Sequence, residues 1–118
     1  MCDKIVEEAL MNKQITNVNF SQCDLNGHQF DEKAFKNTNF SGMSISELTF
    51  TNSSFKDVDF TGVRFTNARF IDCIFDTKCI FRGAKFDSVH LERVTFMGCD
   101  LEGADFTSCH FEDANLQF

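Results

Sequence analysis

The sequence predicts an all-β solenoid: a tube of about five four-sided coils, with a short α-helix capping its N-terminal end. Three observations predict it. A large apolar residue, usually Phe, recurs at every fifth position from Phe20 to Leu116. A small or slim residue stands two places before most of these centres, and the places between are polar. All six Gly stand two places after a centre.

A period of five fits neither the 3.6 residues of a helix turn nor the 2 of a flat strand. It does fit a chain that turns a corner once per unit. The centres comprise 15 of the 16 Phe, together with Leu25, Ile45, Leu91, Leu101 and Leu116; only Phe118 is a Phe out of register. Slim residues such as Val18, Val58, Ala68, Cys73, Ala84 and Val94 supply a second inward position. Gly at the third suits a sharp turn. One unit cannot bury its own centre, but stacked units can. Four units make a coil of 20 residues, and successive coils pair as parallel strands about 4.8 Å apart. Phe without any Tyr or Trp is ring volume with no polar handle, suited to a dry interior.

In chain order, residues 1–14 are the capping helix and 15–118 a single repeat domain. Asp3 is placed as the helix N-cap, and Ile5, Val6, Ala9 and Leu10 form its apolar face. The coils carry centres 20–35, 40–55, 60–75, 81–96 and 101–116, giving a tube roughly 24 Å tall. The extra residue between Phe75 and Phe81 is a bulge at a corner, within DTKCI (76–80). His28 and Lys33 fall at inward slim positions of the first coil. A buried unpaired Lys is costly, so this end is expected to be frayed or distorted. The last coil leaves Phe106, Phe111 and Leu116, with Phe118 beyond, at an uncovered strand edge. Such edges are normally protected, which predicts an end-to-end homodimer through these four residues, doubling the tube to roughly 48 Å.

The formal net charge of -7 argues against direct binding of nucleic acid or anionic membrane. No run approaches the about 20 apolar residues of a membrane span, and MCDKIVEEALMNKQ has no secretory pattern. The expected compartment is the cytoplasm, where the six Cys are reduced. Most occupy slim inward positions as small hydrophobes. Cys79 and Cys99 share a column in adjacent coils and could bridge on oxidation. Cys2, outside the repeat, is expected to be the most reactive thiol.

His90 and His110 share an outward column, with Glu92 and Glu112 two residues on. This set could hold Zn²⁺, Ni²⁺ or Cu²⁺; outward ladder positions also simply tolerate polar residues, and no metal or other cofactor is assigned. The acids Asp100, Glu102, Asp105, Glu112 and Asp113 give residues 99–118 a charge of -5 with no Lys or Arg. They form either a DNA-like acidic surface or a solubilising one. Lys33, Lys36, Lys56, Arg64 and Arg69 interrupt it in the earlier coils.

Segments GADFT (103–107), DANLQ (113–117) and TNVNF (16–20) resemble the motif of the pentapeptide-repeat family over nearly the whole chain. The resemblance implies a right-handed quadrilateral β-helix and a protein that is not an enzyme. The sequence itself shows no catalytic constellation, no phosphate loop and no room for a pocket. The expected function is an interaction scaffold whose partner the sequence does not name. The alternative that the resemblance implies is a DNA mimic that binds DNA gyrase or a related topoisomerase and protects it from quinolones.

Overall fold

The computed structural model describes residues 2–117. Helix α1 (Cys2–Met11) is followed by β1 (Gln14–Thr16), β2 (Gln29–Asp31), β3 (Ala34–Lys36), β4 (Ser44–Ser46), β5 (Thr49–Thr51), β6 (Ser54–Lys56) and β7 (Arg64–Thr66). Then come β8 (Arg69–Ile71), β9 (Ile74–Phe75), β10 (Lys85–Glu92), β11 (Thr95–Met97), β12 (Asp105–Glu112) and β13 (Asn115–Gln117). All pairings are parallel and join each coil to the next. One side is a six-stranded sheet in the order β1-β3-β6-β9-β11-β13. Two further sides merge, through β10, into the sheet β2-β5-β8-β10-β7-β4, with β12 also on β10. The remaining side is stitched by single bridges running Asn19, Asn39, Asp59, Ile80 and Asp100. The molecule is a β-solenoid of about five coils with one short N-terminal helix.

The register follows the five-residue count. Phe30 pairs with Phe50 and Phe35 with Phe55. Past the extra residue the offset grows by one, so Phe70 pairs with Leu91. The bulge falls in the expected segment, with Lys78 at φ 73°. The ladder also reaches one unit earlier than the first centre counted: Ile15 pairs with Phe35 and is buried.

The residue two places after most centres adopts left-handed backbone. Gly62 does so at φ 66° without a Cβ penalty, while Asn52 and Asp57 do so at 50° and 57°, residue types that tolerate this region. The Asn or Asp just before a centre has its own task. Asn39 Oδ1 accepts the Ser41 N–H, Asp59 the Thr61 N–H and Asp105 the Thr107 N–H. These side chains close the corners as Asx turns.

Inside, rings stack along the tube and meet edge to face across it. Phe20 and Phe40 have centroids 5.0 Å apart, Phe40 and Phe60 4.9 Å, and Phe60 and Phe81 4.7 Å. Phe50 and Phe55 cross at 90° and 5.0 Å. Both arrangements suit the ring quadrupole. Removing one such ring costs about 3–5 kcal/mol in a packed core.

Four expectations for the N-terminal end are corrected. Asp3 lies inside α1 and is not its cap; its carboxylate still sits in the first turn, where the helix dipole favours it. Lys33 is buried but not unpaired: Nζ donates to the carbonyls of Leu10 and Asn12, both at 2.8 Å. The first coil is therefore closed, not frayed, because its ammonium satisfies carbonyls at the end of the helix. Cys2 is not a free thiol, nor are all six Cys reduced, since Cys2 is disulfide-bonded to Cys23 with Cα atoms 5.3 Å apart. Docking of α1 on the first coil brings the helix start over a slim inward position. Val6 and Ala9 are buried and Ile5 packs beside them, while Leu10 turns outward.

Candidate functional site

The C-terminal coil is where the regular burial stops. Centres from Phe20 to Phe96 are buried. Phe106 is half-buried, Phe111 is 39 % exposed and Leu116 47 %. The core continues into this coil, since Phe106 stacks on Phe86 at 4.5 Å, but the lower faces of its residues are open. Three of the four residues predicted to form an interface thus share one exposed apolar end; Phe118 lies outside the described residues. Met97, also exposed, pairs with Gln117 on the β11–β13 side. Met97 carries no signal in the five-residue pattern, because it is not a centre.

The five acids encircle this coil instead of forming one strip. Asp100 belongs to the bridged side, Asp105 opens β12 and Glu112 closes it, and Asp113 occupies the next corner at φ 54°. Their charge is partly met from the coil above. Arg82 Nε donates to Asp100 at 2.5 Å, and its Nη2 lies 3.6 Å from Glu102. The Arg82 guanidinium and the Glu102 main-chain N–H hold the Asp100 carboxyl below the usual range. The Thr107 backbone and hydroxyl do the same for Asp105. Arg82 was not singled out in the sequence; its only signal is that a corner position of one coil neighbours the bridged position of the next.

The His/Glu set is brought together on the side formed by β10 and β12. His90 pairs with His110 and Glu92 with Glu112 in strict register. The two imidazoles stack with centroids 4.9 Å apart and planes at 15°. His90 Nε2 lies 3.4 Å from Glu92 Oε1. One donor atom each of His90, Glu92 and Glu112 lie within 4.8 Å of one another. Glu112 raises no second negative charge easily: the Glu92 carboxylate beside it holds its carboxyl above the usual range. Glu92 is held below it by hydrogen bonds with Glu112 and His90. Arg93 Nη1 lies 3.1 Å from Glu92 Oε2, and Arg93 is itself gripped by Asp72 through bonds of 2.6 and 3.0 Å.

Cys79 and Cys99 stand in adjacent coils as expected, and both are free and buried. Cys79 Sγ donates to the Phe55 carbonyl at 3.2 Å and Cys99 Sγ to the Phe75 carbonyl at 3.3 Å. The adjoining Cys79 thiol and burial push the Cys99 thiol up. Burial, with a smaller push from the Asp72 charge, raises Cys73 to about 12. Cys73 and Cys99 are packing thiols, little disposed to ionise, while the neighbouring Cys99 thiol holds Cys79 below the usual thiol range.

Family comparison agrees with this architecture. A model described as a pentapeptide repeat region matches residues 13–77, and one described as pentapeptide repeats (8 copies) matches residues 77–117. The chain belongs to the pentapeptide-repeat family. Among solved structures it is similar to full-length QnrB1, a plasmid-mediated fluoroquinolone resistance protein, with a TM-score of 0.78 and 20 % identity. That match covers 89 % of this chain but only 56 % of QnrB1. Rfr23, a pentapeptide repeat protein from the cyanobacterium Cyanothece 51142, is a more distant match at a TM-score of 0.37 and 10 % identity over the whole of both chains. No curated protein matches the chain. No helix among the described residues is long and apolar enough to cross a membrane.

Proposed function

We propose that the protein is a non-enzymatic interaction scaffold that pairs with a second copy of itself through the open end of its last coil. The observation that carries this reading is the exposure of Phe111 and Leu116 at centre positions that every earlier coil buries. The end is apolar in the middle and bears strands β12 and β13, which among the described residues have no partner beyond them in the sheet order. A two-fold contact would cover both ends at once, since each patch is its own complement. The encircling acids oppose this contact, so pairing should strengthen with salt as their repulsion is screened. Sedimentation across protein and salt concentration tests it. A dimer at micromolar protein that Leu116→Asp dissociates supports the reading; a monomer under all conditions sinks it.

A second reading, binding to DNA gyrase as a DNA mimic, is favoured by the net charge of -7 together with the solenoid shared with QnrB1. A gyrase supercoiling assay with a fluoroquinolone decides it. Protection that weakens when Asp100, Glu102, Asp105, Glu112 and Asp113 are neutralised would establish it, and no protection by folded protein would eliminate it.

A further inference from the structure

We propose that His90, Glu92 and Glu112, with His110 as fourth donor, form a transition-metal site that clamps the last coil to the one before it. The inference starts from backbone. β10 and β12 hold these residues on one side in direct register, so the donors of two coils converge without any loop having to close. Ordering cost is correspondingly low. His90 and Glu92 have side chains only 29 % and 21 % exposed, held against the wall instead of sweeping through solvent. The three primary donors already lie within 4.8 Å of one another, and small rotations bring them to the about 2.0–2.2 Å bond lengths of Zn²⁺ with imidazole and carboxylate.

The surroundings orient one ligand in particular. Asp72 grips Arg93, and Arg93 lies against Oε2 of Glu92. That leaves Oε1 facing His90 Nε2. This is the arrangement in which an outer partner fixes a ligating carboxylate. The ring of His110, stacked on His90, supplies the fourth donor by tilting edge-on. Two imidazoles and two carboxylates suit Zn²⁺, Co²⁺ or Ni²⁺ and are poor ligands for Mg²⁺ or Ca²⁺. The consequence is mechanical. A metal here links residues of the fourth and fifth coils, so binding should quieten the most exposed coil of the tube.

The experiment titrates the whole protein with ZnCl₂ and CoCl₂ by calorimetry, and follows amide exchange over residues 105–117. One ion per chain should bind, slow exchange in that coil, and give a Co²⁺ spectrum without a thiolate charge-transfer band. His90→Ala and Glu92→Gln should each weaken binding at least about tenfold, and Arg93→Ala by about tenfold while all four donors remain. His28→Ala, remote from the site, should change nothing. All these positions are outward or half-buried, and circular dichroism checks that the variants fold. Absence of binding at millimolar metal, a thiolate band, or affinity unchanged by His90→Ala would each overturn the proposal.

Discussion

The ammonium of Lys33, in the first coil, donates a 2.8 Å hydrogen bond to the main-chain carbonyl of Leu10 at the end of α1. A second bond of equal length reaches Asn12. Carbonyls at a helix C-terminus lack intrahelical partners and carry the negative end of the dipole, so a cation there is doubly suited. Lys33→Met keeps the stem and removes the charge. It should destabilise the protein by about 1.5–3 kcal/mol, the range for a hydrogen bond to a charged group. Urea unfolding measures the loss, and amide exchange should rise first within Cys2–Met11. Unchanged exchange there would show that the helix docks without this bond.

The disulfide between Cys2 and Cys23 joins residues 21 apart and ties the other end of the same helix. Closing a loop of that size in the unfolded chain stabilises the native state by about 3 kcal/mol. Cys2→Ser, or reduction of the wild type, should lower stability by about 2–4 kcal/mol. The two treatments should agree with each other, because the remaining cysteines are all unbridged thiols. Reduction that leaves the urea midpoint of the wild type unchanged would refute this.

Most of the fold was legible because the repeat writes the same contact many times. Phe55 needs no special neighbour to be placed inside; its stacking on Phe35 and Phe75 repeats the environment of every other centre. The His90–His110 pair was legible for the same reason, since both lie past the extra residue and stand one 20-residue coil apart. What escaped notice has a partner that does not repeat. Lys33 reads as an error in the pattern because its acceptors are backbone carbonyls, which leave no mark in the sequence. Cys2 lies outside the repeat, and only the docked position of α1 places it beside Cys23. Arg82 and Arg93 look like ordinary corner residues until the coil above or below places Asp100 or Asp72 against them.

Asp100 links that ion-pair network to pH. Its carboxyl is held below the usual range by the Arg82 guanidinium, with help from the Glu102 N–H. In the unfolded chain it returns to the ordinary value near 3.8. Between the two values the unfolded state binds more protons, so stability rises with pH. The contribution is complete above the ordinary carboxylate value and is lost as pH falls through the folded one. Asp100→Asn should therefore flatten the acid limb of the urea midpoint between about pH 2 and 5 while leaving its shape near neutrality unchanged. An identical acid limb in variant and wild type would exclude Asp100 as a contributor.

Thr38 offers the opposite kind of test, a substitution that should stabilise. It occupies a slim inward position and is buried, yet its Oγ1 has no hydrogen-bond partner among the described residues. In the coil after it, the same place holds buried Val58, and in the coil before it Val18 packs against the core. A buried hydroxyl without a partner costs about 1–3 kcal/mol, and Val has nearly the shape of Thr with a methyl in place of that hydroxyl. Thr38→Val should raise stability by about 1 kcal/mol or more on this scale, visible as a higher urea midpoint with an unchanged slope. Thr38→Ser, which keeps the hydroxyl and removes a methyl, should lower it. If both variants lower the midpoint, the Thr38 hydroxyl has a partner that stabilises it, and the column is not selected for dryness.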